Sequence, residues 1–134
     1  MFIHFGNTVD LTAATSFLCP EYLDAAATAA GLEDSRLYTI PCAGTIRGMY
    51  VQALTNTIEG IKSAVVTLRR GAIAGAMGGT ACTATLAAGV LNNSDFAHPI
   101  AVAAGDRLSI QWVNSSATGQ TCTFPQVVLV FQHS

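Results

Sequence analysis

Asp95 and His98 are the side chains whose types and spacing most resemble a chemical site. A carboxylate three residues before an imidazole could serve as an acid–base pair. Catalysis by such a pair also needs a nucleophile, a second carboxylate or a glycine elbow, and the sequence places no such motif beside it. The histidine precedes Pro99, as in an ordinary surface loop. The sequence therefore predicts a protein that is not an enzyme.

The cysteines are a second set of candidate ligands or nucleophiles. No two of them form a CxxC pair, and no histidine lies at metal-ligand spacing from them, so we predict no metal site. Reduced, buried thiols are the default expectation. If a disulfide forms, the candidate pair is Cys82 with Cys122, because both stand in threonine-flanked, strand-like runs. The four cysteines are Cys19, Cys42, Cys82 and Cys122.

The uncharged stretch from Gly71 to Ser94 imitates a membrane span. Glycines and threonines fill much of it and favour insertion weakly, so a glycine-rich loop leading into a strand is the better interpretation. We expect no membrane contact. The glycines at 71–79 also lack the GK[ST] ending of a phosphate loop, and no nucleotide or other cofactor is predicted. The first twenty residues lack the basic region of a secretory signal, so we expect the chain to stay where it is made.

The composition indicates permanent contact with other protein. The 134 residues suit one domain, and hydrophobic residues make up 51% of them but charged residues only 10%. An ordinary soluble domain has about 25% charged residues, so a monomer of this chain would expose large uncharged areas. The net charge of -2 does not suit a nucleic-acid partner, which needs clustered basic residues.

Alternation of apolar and polar side chains predicts strands along most of the chain. About eight such runs, separated by short turns and without alternating helices, predict an all-β fold, an antiparallel β-sandwich. The runs at 63–70 and 106–116 each bring one apolar face to the core. We expect the run at 106–116 to face the run at 63–70 and the strand that precedes residue 63. The residues expected in the core between them are Met49, Val66, Leu68, Leu108, Ile110 and Trp112.

The last strand is apolar on both faces. Val127, Leu129 and Phe131 share one face, and Val128 and Val130 share the other. A strand that packs on the core with one face and on a neighbouring subunit with the other satisfies this pattern. Together with the low charge, the pattern predicts a homotrimer whose interface contains Val128 and Val130.

The AAGDR run predicts a turn. Gly105 can supply a positive φ angle, Asp106 can bond the backbone of its own turn, and Arg107 then begins a strand. We prefer this mechanical role of Asp106 to a catalytic one.

Four runs together resemble small virion structural proteins of tailed bacteriophages. They are IPCAGTIRGMYVQALTN, AVVTLRRGAIAGAMGGTACTATL, NNSDFAHPIAVAAGDRLSIQWVNSS and a closing VVLVF, and the match covers about Tyr38 to Phe131. The resemblance implies a jelly-roll sandwich, usually trimeric. It also implies a capsid decoration (cement) protein that bridges capsomers through the major capsid protein, made in the host cytoplasm and located on the virion surface. The alternative is a trimeric receptor- or glycan-binding head of a phage fibre or surface appendage.

Residues 1–37 carry no motif of that family, and the first 35 of them are set apart from the sandwich. We assign them to an N-terminal arm or first strand with an alanine-rich loop, and residues 36–134 to the sandwich, within a single domain overall. Phe2, Ile3 and Phe5 are the predicted contacts of an arm with the capsid. The alternative is that Thr12 to Cys19 forms the first strand and the arm shrinks to ten residues. For Pro20 to Gly31, a short helix and an extended loop both remain open.

Overall fold

The fold is built almost entirely of strands, which confirms the predicted all-β class. A computed structural model describes residues 1–6, 15–20, 28–29, 33–115 and 120–134. Several strands are only two or three residues long, which is too short for an alternation pattern to reveal them. The described strands therefore outnumber the eight expected. A 3-10 turn spans Glu33–Ser35, and the strands are β1 (Phe2–Gly6), β2 (Thr15–Phe17), β3 (Cys19–Pro20), β4 (Thr28–Ala29), β5 (Tyr38–Thr39), β6 (Gly44–Gln52), β7 (Thr55–Asn56), β8 (Ser63–Gly71), β9 (Gly78–Ala87), β10 (Asn92–Asp95), β11 (Ile100–Val102), β12 (Arg107–Asn114), β13 (Cys122–Thr123) and β14 (Gln126–His133).

The strands form two sheets and a short ribbon. The front sheet has the order β10, β6, β14, β1, β3, with β11 also paired to β6. The back sheet has the order β4, β2, β12, β8, β9, with β5 also paired to β12, and the ribbon joins β7 to β13. All pairs are antiparallel, and strands far apart in sequence lie side by side, as in a jelly roll.

The core lies between the two sheets, because period-two strands direct one face inward. Leu68, Ile110 and Trp112 are fully buried, as the alternation predicts. The prediction that β12 faces β8 is wrong, since Ile110 lies beside Leu68, and Trp112 beside Val66, in the same sheet. Met49 joins the same core cluster from the front sheet.

The first six residues belong to the front sheet and are not a separate arm. In β1, Ile3 pairs with Leu129 and Phe5 with Val127, and β1 also pairs with β3. Ile3 is 2% exposed and Phe5 is fully buried, so the prediction that they contact a capsid is wrong for both. The reason is the alternation in FIHF, which is that of a strand with one buried face.

The other predictions for residues 1–35 fall partly outside the described residues. Thr15–Phe17 is the second strand rather than the first. Of the proposed helix at 20–31, the described parts end β3 or form β4, and residues 21–27 and 30–31 lie outside the described residues. In the described ranges, no helix is long and apolar enough to cross a membrane. Because β2 pairs with β12 and β1 with β14, these strands belong to the same sandwich as the rest.

Side chains close the free edge of β9, the last strand of the back sheet. The Thr83 N–H donates to Asp95 Oδ2 at 2.9 Å, and Asn93 Nδ2 donates to the carbonyl oxygen of Thr85 at 2.8 Å. Both side chains come from β10 of the front sheet. They occupy backbone groups that would otherwise be open to another strand, and they join the two sheets along this side.

Candidate interaction face and groove

The outer face of the front sheet carries a cluster of apolar side chains. Val128 and Val130 of β14 point outward and are half-buried, between the inward-facing residues of the same strand. Val128 pairs with Tyr50 of β6, and Val130 pairs with Phe2 of β1. Tyr50 is 55% exposed and Phe2 is 63% exposed. Directly opposite residues share a face of the sheet, so these side chains form one patch. We use the name front face for this patch, which consists of Phe2, Tyr50, Val128 and Val130 together with Phe96.

Phe96 reaches the front face from the turn after β10. Its ring centroid lies 4.8 Å from that of Tyr50, with the ring planes tilted by 59°. A Cβ atom at Gly48 would overlap Phe96 Cδ1 and would lie 2.5 Å from the carbonyl oxygen of Asp95. Gly48 is therefore required because the Phe96 ring and its turn lie directly on the strand. Tilted aromatic pairs of this kind are favourable.

Asp95 holds the turn that presents Phe96. Beside the Thr83 bond, Asp95 Oδ1 accepts the Ala97 N–H at 2.9 Å, and Asp95 Oδ2 lies 2.9 Å from His98 Nδ1. Burial would raise the pKa of Asp95, but the bonds from Thr83, His98 and Ala97 and the charge of His98 together lower it. The structure does pair Asp95 with His98, which the sequence analysis considered and set aside, but the carboxylate is committed to structural hydrogen bonds.

The turn at Gly105 is held by a second buried carboxylate. Gly105 has a φ of 86°, and Asp106 Oδ2 accepts the Ala103 N–H at 2.9 Å and Arg70 Nε at 2.7 Å. Burial would raise the pKa of Asp106, but the Ala103 and Arg70 hydrogen bonds and the Arg70 charge lower it. Arg107 begins β12. This turn lies outside the front face and positions strands rather than a ligand.

The two aspartates predict a loss of stability in acid. Since the folded pKa values of Asp95 and Asp106 are lowered, the unfolded chain binds more protons than the folded chain as the pH falls. Their contribution is complete above the unfolded pKa of about 3.9 and is lost as the pH falls through the folded values. Thermal unfolding followed by circular dichroism should show a Tm that decreases below about pH 5.

Two variants separate Asp106 from the other carboxylates. Asp106→Asn should lower the Tm at neutral pH and make its acid dependence shallower, because the ion pair with Arg70 is lost. Asp34→Asn, at an exposed position, should leave both unchanged. An acid dependence of equal steepness in Asp106→Asn and the parent would contradict this prediction.

A groove opens next to the front face. It is lined by Gln52, Leu54, Phe124 and Gln126. Gln52 and Gln126 lie directly opposite each other on β6 and β14. Leu54 is 61% exposed and Phe124 is 44% exposed. The Leu54 N–H donates to the carbonyl oxygen of Thr123 at 2.9 Å, so the two apolar residues are held on neighbouring segments.

The backbone of Phe124 is strained. Its φ is 46°, a left-handed value that is rare for a bulky residue, and the following Pro125 restricts it further. Such a conformation persists where surrounding structure imposes it. Here Thr123 Oγ1 lies 2.6 Å from Thr55 Oγ1 and accepts the Thr55 N–H at 3.1 Å. The ribbon of β7 and β13 thus fixes the backbone that leads into Phe124.

The cysteines contribute no reactive group to this region. All four are free, so Cys82 and Cys122 do not form the disulfide considered from the sequence. Burial, with a smaller effect of the Asp95 charge, raises the pKa of Cys82 to about 12, and burial raises that of Cys122 to about 11. Both remain protonated thiols at neutral pH. Among the residues described, no group of three or more His, Cys, Asp or Glu is placed to hold a metal ion.

Sequence reasoning found part of this surface. It placed Val128 and Val130 on the outer face, and the structure brings Phe2 to them. It missed Tyr50 and Phe96, although an aromatic residue between the inward-facing Met49 and Val51 was a visible signal. It also missed the groove, whose residues meet through the pairing of β6 with β14 and of β7 with β13.

The fold is similar to those of known proteins, although the sequence is not. No protein-family model and no curated protein matches the chain. The crystal structure of murine APRIL at pH 5.0 matches with a TM-score of 0.50 and 10% identity, covering 96% of this chain and 98% of that chain. The crystal structure of murine APRIL at pH 8.0 matches with a TM-score of 0.50 and 11% sequence identity, with the same coverage of both chains. The structure of Eiger TNF from S. frugiperda matches with a TM-score of 0.47 and 16% sequence identity, covering 100% of this chain and 94% of that chain.

These comparisons bear on the fold alone. Together with the sheet topology, the APRIL match confirms the jelly-roll β-sandwich that the sequence resemblance implies. The matched proteins named above are not phage virion proteins, so the comparisons lend no support to that part of the resemblance.

Proposed function

We propose that the chain is a non-enzymatic structural protein of a phage particle, a homotrimer that decorates the capsid and bridges neighbouring capsomers. The observation that carries the proposal is the front face, an apolar patch on the outside of the sandwich. The phage assignment comes from the sequence resemblance, and the number of three copies from that resemblance together with the doubly apolar β14 and the low charge. In this proposal the protein is made in the host cytoplasm and resides on the virion surface, bound to the major capsid protein.

The front face suits contact with another copy of the chain. Phe2, Tyr50 and Phe96 are each more than two fifths exposed. Phe2 lies opposite the half-buried Val130, and the half-buried Val128 lies between Tyr50 and the exposed His4. A patch of aromatic and aliphatic side chains gains free energy when water is removed from it. A ring of three copies is closed, so each copy covers this patch without leaving a further binding surface open.

A charge placed in the centre of the front face should dissociate the trimer. Val130→Lys puts an ammonium group between Phe2 and Gly48, where burial against another subunit would cost several kcal/mol. Light scattering should give a mass of three chains for the parent protein and of one chain for the Val130→Lys variant. Thr85→Lys, on an exposed position of the back sheet, is the matched control and should remain trimeric.

The capsid role has its own test. Mass spectrometry of purified phage particles should detect the chain, and cryo-microscopy should place its copies in threes at the junctions of capsomers. The Val130→Lys variant, added to capsids that lack the protein, should bind more weakly because one subunit then carries only one attachment site. A chain that is absent from the particles, or present only on fibres, would refute decoration of the capsid.

A receptor-binding head of a fibre is the second candidate function. The groove favours it, because Leu54 and Phe124 remain exposed at the margin of the front face. Both functions use the same trimer, and they differ in whether the groove has a ligand.

A further inference from the structure

We infer that the groove lined by Gln52, Leu54, Phe124 and Gln126 binds a neutral carbohydrate. The inference rests on the second candidate function, the receptor-binding head, and not on capsid decoration. It assigns a site and a ligand class to that function.

The polar side of the groove is a pair of amides. Gln52 and Gln126 lie opposite each other on adjacent strands, and both are exposed. Each amide offers two N–H donors and a carbonyl acceptor, which matches sugar hydroxyls that both donate and accept. Within the described residues, neither side chain has a hydrogen-bond partner of its own, so both are free to bind. The four lining side chains carry no charge, which favours a neutral sugar over an anionic one.

The apolar side of the groove suits the C–H face of a sugar ring. Phe124 offers an exposed aromatic ring, and Leu54 lies beside it. The left-handed backbone of Phe124 and the hydrogen bonds of Thr123 constrain the main chain that carries the ring before a ligand arrives, which lowers the entropy cost of ordering this segment on binding. The groove is open and shallow, with a volume of about 210 Å³. This is below the range of about 300–1,000 Å³ for drug-sized ligands, so the groove suits a single sugar unit.

An extended peptide fits this groove less well. Peptides that add to a sheet bind through backbone groups of a free strand edge. Here the Leu54 N–H already donates to Thr123, and the Thr57 N–H donates to the carbonyl oxygen of Thr121 at 2.9 Å. The ribbon of β7 and β13 therefore uses these backbone groups internally and presents side chains to the ligand.

Titration of the full chain with defined sugars tests the inference. The probes are the methyl glycosides of glucose, galactose, mannose and N-acetylglucosamine, with N-acetylneuraminic acid as the charged comparison. In ¹H–¹⁵N NMR spectra, at least one neutral glycoside should shift the side-chain amide signals of Gln52 and Gln126 in a saturable way. Phe124→Leu should raise the Kd about tenfold, since it removes one ring contact, and Gln126→Ala should raise it by a similar factor.

The control variant is Ile61→Ala, at a fully exposed position outside the groove lining, and it should bind as the parent does. Absence of saturable shifts with every neutral glycoside would overturn the inference, as would tighter binding of N-acetylneuraminic acid or binding that Phe124→Leu and Gln126→Ala leave unchanged. Light scattering of the same samples separates this failure from failure of the trimer. Labelled chain that marks fibre tips without binding any of these sugars would keep the head function and refute the carbohydrate site.

Discussion

Deletion of residues 1–6 is expected to prevent the chain from folding. The deletion removes β1, which lies inside the front sheet between β14 and β3. It takes two large side chains, Ile3 and Phe5, out of the core, and losses of this kind cost about 2–5 kcal/mol each. It also leaves one side of β14 without a partner. Since domains are stable by only about 5–15 kcal/mol, the remaining chain should not form a stable sandwich.

Circular dichroism and solubility measure this outcome. The truncated chain should be insoluble or lack a cooperative thermal transition. Phe2→Ser is the control for folding, because this side chain is 63% exposed and its loss leaves β1 in place. It should keep a cooperative thermal transition, although it also removes a side chain of the front face. A soluble truncated chain with the thermal stability of the parent would mean that β1 is a detachable arm, as the sequence alone suggested.

Replacement of Trp112 by alanine is expected to cost about 3–5 kcal/mol of unfolding free energy. Trp112 is fully buried in β12, between β2 and β8, and belongs to the cluster that joins both sheets. Its removal leaves a large cavity that rigid strands on either side cannot fill. Urea unfolding at neutral pH should show the loss as a lower midpoint with a similar slope.

Two comparisons show whether packing is the cause. Trp112→Phe should cost much less than Trp112→Ala, because it keeps a ring and removes an indole N–H that has no partner among the described residues. Ile61→Ala, at a fully exposed position, should cost almost nothing. Iodide should quench the native tryptophan fluorescence weakly, and strong quenching would contradict the burial.

The fold follows from the sequence wherever alternation is long enough to assign faces. In β8 and β12 the period of two identifies the buried residues Leu68, Ile110 and Trp112 correctly. It does not reveal which strands are neighbours, so the alternation alone predicts β12 across the core from β8, whereas the two share a sheet. The same limit applies to β1, whose alternation was visible in Ile3 and Phe5 but whose partner lies at the other end of the chain.

The candidate site is harder to predict because it depends on long-range pairing. The doubly apolar β14 revealed Val128 and Val130, since both faces of one strand can be compared within the sequence. Gln52 and Gln126 carry no such signal, because they are ordinary polar ends of strands until the sheet sets them side by side. The positive φ of Phe124 is equally invisible in a residue that precedes proline, where an extended backbone is expected.

The closed edge of β9 bears on how copies of this chain can add to one another. β9 is a long edge strand of the back sheet, and a bare edge of that length is a template for continuous growth into fibrils. The Asp95 carboxylate accepts the Thr83 N–H, and the Asn93 amide donates to the Thr85 carbonyl oxygen. An incoming strand would therefore first have to displace a buried, ionised carboxylate from the backbone of β9. Association is thereby directed away from sheet extension and toward contact through faces. We therefore expect these two side chains, on a four-residue strand, to disfavour growth of this sheet by edge-to-edge addition.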